Sequence, residues 1–217
     1  MSWKKSKKIM KKVWHFIWED NSIWSWIVNI ILAVLIIKFI IYPVLGLGLG
    51  TKLPVVAVVS SSMEHNSDFD TFWNAKGYFY TDPEYNITRE DFENFKFKNG
   101  FNKGDIMIVT RAIPSKIKVG DVIVFQSPEP YPIIHRVVKK WQEDGIYYFR
   151  TKGDNNLGFT VQAQEKNIGE SRVLGKANLR IPYLGNLKIV AACSWDYIKY
   201  KFSQGLSSQY NYIGCLT

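Results

Sequence analysis

Gly104-Asp-Ile-Met-Ile-Val-Thr-Arg-Ala-Ile-Pro-Ser-Lys-Ile-Lys-Val-Gly-Asp-Val-Ile-Val-Phe125 contains two short β-branched runs, each opened by a Gly-Asp pair. β-Branched side chains are stiff about χ1 and suit a pleated surface, and glycine-containing pairs suit the turns between such runs. The pattern recurs downstream in Ile133–Val138, Ile146–Thr151 and Ser171–Ala177. Turn residues separate these runs at Pro128 to Pro132, Glu143-Asp-Gly145 and Gly153-Asp154. Short strands at close spacing predict a compact, mainly β domain with long connections, extending over residues 51–190.

Outward from this block, residues 66–102 are polar and aromatic. Thr88-Arg-Glu-Asp91 has the form of a helix capping box and is followed by Phe92, Phe95 and Phe97, which predicts a small, partly helical insertion packed on the main domain. Asn86-Ile87-Thr88 fits the N-glycosylation acceptor pattern. Beyond the β runs, the apolar stretch Ile189–Phe202 is too short to cross a membrane, and an amphipathic helix is expected within the tail, 191–217.

The N-terminal side has a different character. Residues 1–22 are lysine-rich and then aromatic, which suits a helix at the level of lipid headgroups. Residues 23–46 are almost wholly apolar, and the 22 residues from Ile23 to Val44 span roughly 33 Å as a helix, enough for a bilayer core of about 30 Å. Trp24, Trp26 and Tyr42 are placed like interfacial anchors, and Lys38 near the exit end is placed to snorkel or to face a partner helix. A cleavable signal peptide would have a shorter apolar region and a small-residue cleavage site, so a retained transmembrane anchor is expected.

The net charge of +9 bears on partners only once it is located. Lys4, Lys5, Lys7, Lys8, Lys11 and Lys12 supply six of those charges, leaving three for the rest of the chain. A basic run beside an apolar span is a topology signal: the N-terminus is expected in the cytoplasm and everything after Thr51 across the membrane. This argues against a nucleic-acid partner. Two cysteines, Cys193 and Cys215, are too few for a disulfide framework or a zinc site, and a single disulfide and two free thiols both remain open. No cluster of His, Cys and carboxylates suggests a metal, and no cofactor is expected.

The chemistry is expected just past the anchor, in Pro54-Val-Val-Ala-Val-Val-Ser60-Ser61-Ser62-Met63-Glu64-His65. A serine hydroxyl is a weak nucleophile, so it needs a base within reach and donors for the developing oxyanion. The chain has three histidines. His15 precedes the span, on the wrong side of the membrane. His65 lies three residues from Ser62, in a position to reach back. His135 lies mid-strand between Ile133 and Val137 on one face of the pleat, where a general base would be held rigidly. Gly153-Asp154-Asn155-Asn156 is by composition a turn.

These blocks, in order, resemble the type I signal peptidases of the archaeal and endoplasmic-reticulum class. The resemblance rests on the apolar anchor, Ser60-Ser-Ser62-Met63-Glu64, Lys103-Gly-Asp105, Val119-Gly-Asp-Val-Ile-Val-Phe125, Ile134-His135-Arg136-Val137, Thr151-Lys-Gly-Asp-Asn-Asn156 and Ile181-Pro-Tyr-Leu-Gly185. It covers most of residues 51–190 and leaves out the insertion and the tail.

The resemblance implies a membrane-anchored serine endopeptidase that removes signal peptides after small residues by acyl-enzyme chemistry. It implies Ser62 as nucleophile, His135 as general base, and Ser60 as the hydroxyl supporting an oxyanion hole with the backbone N–H of Ser62. Asp154 matches the aspartate of the family's Gly-Asp-Asn block and is the expected third catalytic residue. Signal peptides of preproteins, the lipid bilayer and the protein-translocation machinery are the implied partners; the implied location is the cell membrane, or the endoplasmic reticulum membrane in a eukaryote.

Two departures from the family pattern bear on the site. Where relatives commonly have proline two residues after the methionine, this chain has His65, and where a second aspartate is usual it has Thr160. That second aspartate is the one expected to orient the histidine, which leaves Asp154, Glu165 or a dyad without a carboxylate. Two other functions remain compatible with the sequence: a non-catalytic, membrane-tethered β-domain serving as a binding subunit, and a processing peptidase for a narrower set of precursors.

Overall fold

The computed structural model describes residues 3–128, 131–160 and 164–183. The expected C-terminal helix and both cysteines lie outside the described residues. The chain divides into two compact units, residues 1–48 and the part from Leu49 onward.

The first unit is helical. Helix α1 (Trp3–Trp18) ends at a turn, and Ser22 then caps α2 (Ile23–Ile36) by accepting a hydrogen bond from the Ser25 N–H. A π turn (Ile37–Ile41) and α3 (Tyr42–Leu49) continue α2 as one helix, Ile23–Leu49, long and apolar enough to cross a membrane. The helix extends through the leucine-glycine repeat, past the expected end at residue 46. Pro43 has no N–H, and its ring crowds the carbonyl four residues earlier, at Phe39 inside the π turn. A π turn at this place accommodates the mismatch without ending the helix.

The second unit is built on a curled sheet of seven antiparallel strands. The strands are β1 (Val55–Ala57), β2 (Ile106–Thr110), β3 (Val122–Phe125), β4 (Ile133–Glu143), β5 (Ile146–Lys152), β6 (Ile168–Gly169) and β7 (Val173–Ile181). Their spatial order is β1-β2-β7-β3-β4-β5-β6. Register shifts at Ile108/Val109, Val124/Phe125 and Val137/Lys139 act as bulges that bend the sheet.

Alternation along β3 and β4 sends side chains into two cores. Met63, Met107, Val109, Val122, Val124 and Ile134 fill one. Ile117, Ile123, Phe125, Val137, Phe149 and Ile168 fill the other. Burying a side chain of this size stabilises by about 1.5–3 kcal/mol, so each core contributes several such increments.

The insertion is helical, and more so than Thr88–Asp91 suggests. Helix α4 (Phe69–Tyr80) is capped by Asp68, whose carboxylate accepts the Thr71 N–H at 2.8 Å. Helix α5 (Arg89–Glu93) has the full capping box between Thr88 and Asp91. Phe72, Tyr80, Ile87 and Phe92 pack with Val138 of β4, so the insertion sits on the strand that also carries His135.

Candidate active site

Ser62 lies five residues past the end of β1, in a segment pinned on both sides. The Val58 N–H donates to Asp105 O, the Phe101 N–H to Met63 O, and the Asn155 N–H to Ser62 O at 2.8 Å. Met63 is fully buried in the first core and acts as a plug that fixes its neighbour. Its sulfur also accepts the Asp154 N–H at 3.4 Å. The Ser-Met pair therefore joins a half-exposed hydroxyl to a buried anchor.

His135 is paired with Ile123 across β3 and β4 and is itself buried. Its Nε2 lies 2.8 Å from Ser62 Oγ, and Ser60 Oγ lies 3.1 Å from the same hydroxyl. On the far side of the ring, Nδ1 is hydrogen-bonded to Glu165 Oε1. A carboxylate there accepts, so the proton belongs on Nδ1 and the Nε2 lone pair faces the serine. Glu165 is buried, and its second oxygen accepts the Thr160 N–H at 2.6 Å. The Asn156 amide in turn donates to Thr160 Oγ1 at 3.3 Å.

Asp154 is also buried but belongs to a separate cluster. Its carboxylate accepts from Arg136 Nη2 at 2.7 Å, from His65 Nε2 at 2.9 Å and from the Tyr80 hydroxyl at 2.9 Å. Burial alone would raise its pKa, but the Arg136 charge and the bonds from His65 and Arg136 hold it well below the usual carboxylate range. Burial and the Asp154 charge push the Tyr80 phenol up, so it remains a donor. Arg136 also donates to the carbonyls of Phe97 and Gly120, and its guanidinium lies 4.7 Å from the centroid of the Phe92 ring.

The structure thus brings together Ser60, Ser62, His135 and Glu165. It places Asp154 on Arg136, and His65 on Asp154 with its ring stacked 3.5 Å from that of Phe72. His15 is an exposed residue of α1, hydrogen-bonded to Glu19. Three supporting residues escaped sequence reasoning: Arg136, Tyr80 and Lys76, whose ammonium donates to Asn155 O at 3.0 Å. Arg136 had a signal, since it directly follows His135 in a run whose alternation buries both faces. Lys76 and Tyr80 had none, because α4 was not anticipated.

Close approach explains the glycine of the 153–156 turn. A Cβ on Gly153 would come within 2.9 Å of both His135 Nε2 and Ser62 O. The preceding residue, Lys152, is buried and donates to the Gly153 and Asp154 carbonyls. Burial brings its pKa down to about 8, against the opposing pull of the Asp154 charge. Among the described residues, no group of three or more His, Cys, Asp or Glu side chains is placed to hold a metal ion.

Beside Ser62 and His135 lies a cleft of about 340 Å³, lined by Val56 and Ala57 of β1, Val59, Tyr131 and Ile133 among others. Its walls are largely apolar, and β1 is the terminal strand in the sheet order.

Fold and site together define a β-rich domain, preceded by an apolar helix of membrane-spanning length, with a serine, a histidine and a buried carboxylate in line beside an apolar cleft. No family model matches the chain. Curated relatives do. Human signal peptidase complex catalytic subunit SEC11C is 33% identical over 109 residues, 48% of this chain and 55% of the relative, so the chain spans about half the length of that protein. The Dictyostelium discoideum subunit sec11 is 32% identical over 108 residues, 47% of this chain and 58% of the relative. The Schizosaccharomyces pombe subunit sec11 is 30% identical over 181 residues, 81% of this chain and 86% of the relative. The chain belongs to the family of signal peptidase complex catalytic subunits.

Proposed function

We propose that this chain is a membrane-anchored serine endopeptidase that cleaves signal peptides from preproteins, with Ser62 as nucleophile and His135 as general base. The observation that carries the reading is the 2.8 Å contact between Ser62 Oγ and His135 Nε2, with Glu165 on the opposite ring nitrogen. His135 takes the serine proton as Oγ attacks the scissile carbonyl, then delivers it to the leaving amine. Ser60 and the Ser62 N–H are the proposed donors to the oxyanion. Glu165, rather than Asp154, is the proposed partner that fixes the tautomer and stabilises the imidazolium. An acyl-enzyme on Ser62 is then hydrolysed by water, with His135 again as base.

The cleft suits an extended peptide laid beside β1, its small apolar side chains entering between Val56, Ala57 and Ile133. The apolar helix Ile23–Leu49 is the proposed single-pass anchor, with a cytoplasmic N-terminus and the site across the membrane. Such an anchor holds the site near the place where a substrate's own apolar segment emerges, within reach of translocation machinery.

The test is preprotein cleavage by the full chain in proteoliposomes, with the new N-terminus of the product sequenced. Ser62→Ala and His135→Ala are expected to abolish cleavage, and Ser60→Ala to leave a residual rate lower by about 10²–10³. Normal cleavage by either of the first two would overturn the assignment, and equal residual rates for Ser60→Ala and Ser62→Ala would remove Ser60 from its role.

A further inference from the structure

Helix α1 is a two-sided helix whose apolar side is exposed at Ile9, Met10 and Val13 and meets α2 only near its end, at Ile17. At 100° per residue, Lys7, Lys8, Lys11, Lys12 and His15 share one side. Ile9, Met10, Val13 and Ile17 share the other. Met10 is 67% exposed, Val13 50% and Trp14 63%, in a helix with no acid in its first turn. Glu19 and Asp20, the two acids among residues 1–22, both lie beyond its end.

The junction with α2 keeps α1 from being an extension of the apolar helix. The Glu19 and Asp20 N–H groups both close on His15 O, and Asp20 Oδ1 accepts the Ser22 N–H at 2.8 Å. The last carbonyls of α1 would be left without partners, and side chains of α2 take them: Ser25 Oγ donates to Phe16 O at 2.6 Å and the Asn29 amide to Ile17 O at 2.9 Å. Two polar groups at the start of an apolar helix are thereby satisfied. The same bonds tie the base of α1 to the first turns of α2.

We propose that α1 lies along the surface of the anionic membrane leaflet on the N-terminal side of the span, its apolar side in the acyl boundary and its lysines among the headgroups. The occupant follows from charge complementarity and from continuity with α2. Lysines on one side of a helix attract anionic lipid, and Trp14, at the border between the two sides, suits the headgroup level. Each lysine near an anionic surface strengthens association by about fivefold, so four act together strongly. The inference rests on reading Ile23–Leu49 as a membrane span and is independent of the chemistry at Ser62.

The experiment uses the full chain carrying C193S and C215S, with one cysteine introduced as Val13→Cys or His15→Cys and labelled with an environment-sensitive fluorophore. Each protein is reconstituted into vesicles of phosphatidylcholine alone or with phosphatidylglycerol, then exposed to lipid-borne nitroxide or aqueous iodide. The Val13 label is expected to be quenched by nitroxide and shielded from iodide, the His15 label the reverse. The contrast should be several-fold larger with phosphatidylglycerol, and K7Q/K8Q/K11Q/K12Q should reduce it to the phosphatidylcholine level. Iodide access to the Val13 label in anionic vesicles would overturn the proposal. So would shielding from both quenchers, which would mean that protein covers the face, or a contrast indifferent to phosphatidylglycerol. Loss of the chain from floated vesicles after an alkaline wash would overturn the span itself, a failure distinct from the other three.

Discussion

His135 and Arg136 are neighbours on β4 with opposite allegiances: the imidazole meets Ser62 and Glu165, and the guanidinium meets Asp154. Strand alternation makes this possible, since consecutive side chains leave opposite faces of the sheet. One strand thereby carries the proposed base on one side and the scaffold that holds the 153–156 turn on the other. The turn closes the loop between them, because Gly153 packs on His135 while Asp154 pairs with Arg136.

Asp154→Asn is therefore expected to act on stability first. Removing one partner of a fully buried ion pair leaves the other charge uncompensated, at a cost of about 3–5 kcal/mol. Chemical denaturation followed by tryptophan fluorescence should show that loss. The pH dependence has a definite sign. Asp154 is held below its unfolded value, so its contribution is fully present above a pH of about 4 and is lost as pH falls toward the lowered folded value. The variant should lack this acid-sensitive component.

Lys152 gives a slope of the same sign at the alkaline end. Its folded pKa of about 8 lies below the ordinary 10.5, so between those values the unfolded chain binds more protons than the folded one. Stability should rise as pH increases from about 8 to about 10.5, by at most about 3 kcal/mol, and Lys152→Met should not show the rise. Denaturation midpoints across that range measure it directly.

Gly153→Ala tests the packing of the turn against the site. The added methyl meets His135 Nε2 and Ser62 O, both within 2.9 Å, as well as the Asn156 amide. Either the imidazole or the serine backbone must shift by several tenths of an ångström, which breaks the alignment of Oγ with Nε2. Preprotein cleavage is expected to fall by up to about 10²-fold, the cost of misplacing reacting groups by about 1 Å. A smaller change in melting temperature than that of Asp154→Asn should accompany it.

The strands were the most legible part of the chain. The runs at Ile106–Thr110, Val122–Phe125 and Ile146–Lys152 are strands because β-branched residues cluster there between glycine and proline turns. Helix α4 was not legible: its six aromatic residues show weak periodicity, and its start depends on a single capping aspartate, Asp68. In the site, Ser62 and His135 stand out by residue type and by position after the anchor. Which carboxylate meets His135 did not, because residue type and spacing do not distinguish the two buried acids, Asp154 and Glu165. Asp154 is nearer in sequence, yet its carboxylate pairs with Arg136, whose side chain leaves β4 on the face opposite His135. Glu165, eleven residues later, is returned to the ring by the bond from the Thr151 N–H to its carbonyl.

The rate of preprotein cleavage by Glu165→Gln, measured in proteoliposomes at matched folded fraction, tests the Ser62–His135–Glu165 arrangement most directly. Glutamine keeps the size of the side chain and removes the charge that fixes the Nδ1–H tautomer and stabilises the imidazolium. A fall of about 10²–10⁴-fold with a near-native melting temperature is expected. Cleavage within about threefold of the unsubstituted chain, with the protein shown to be folded, would contradict it.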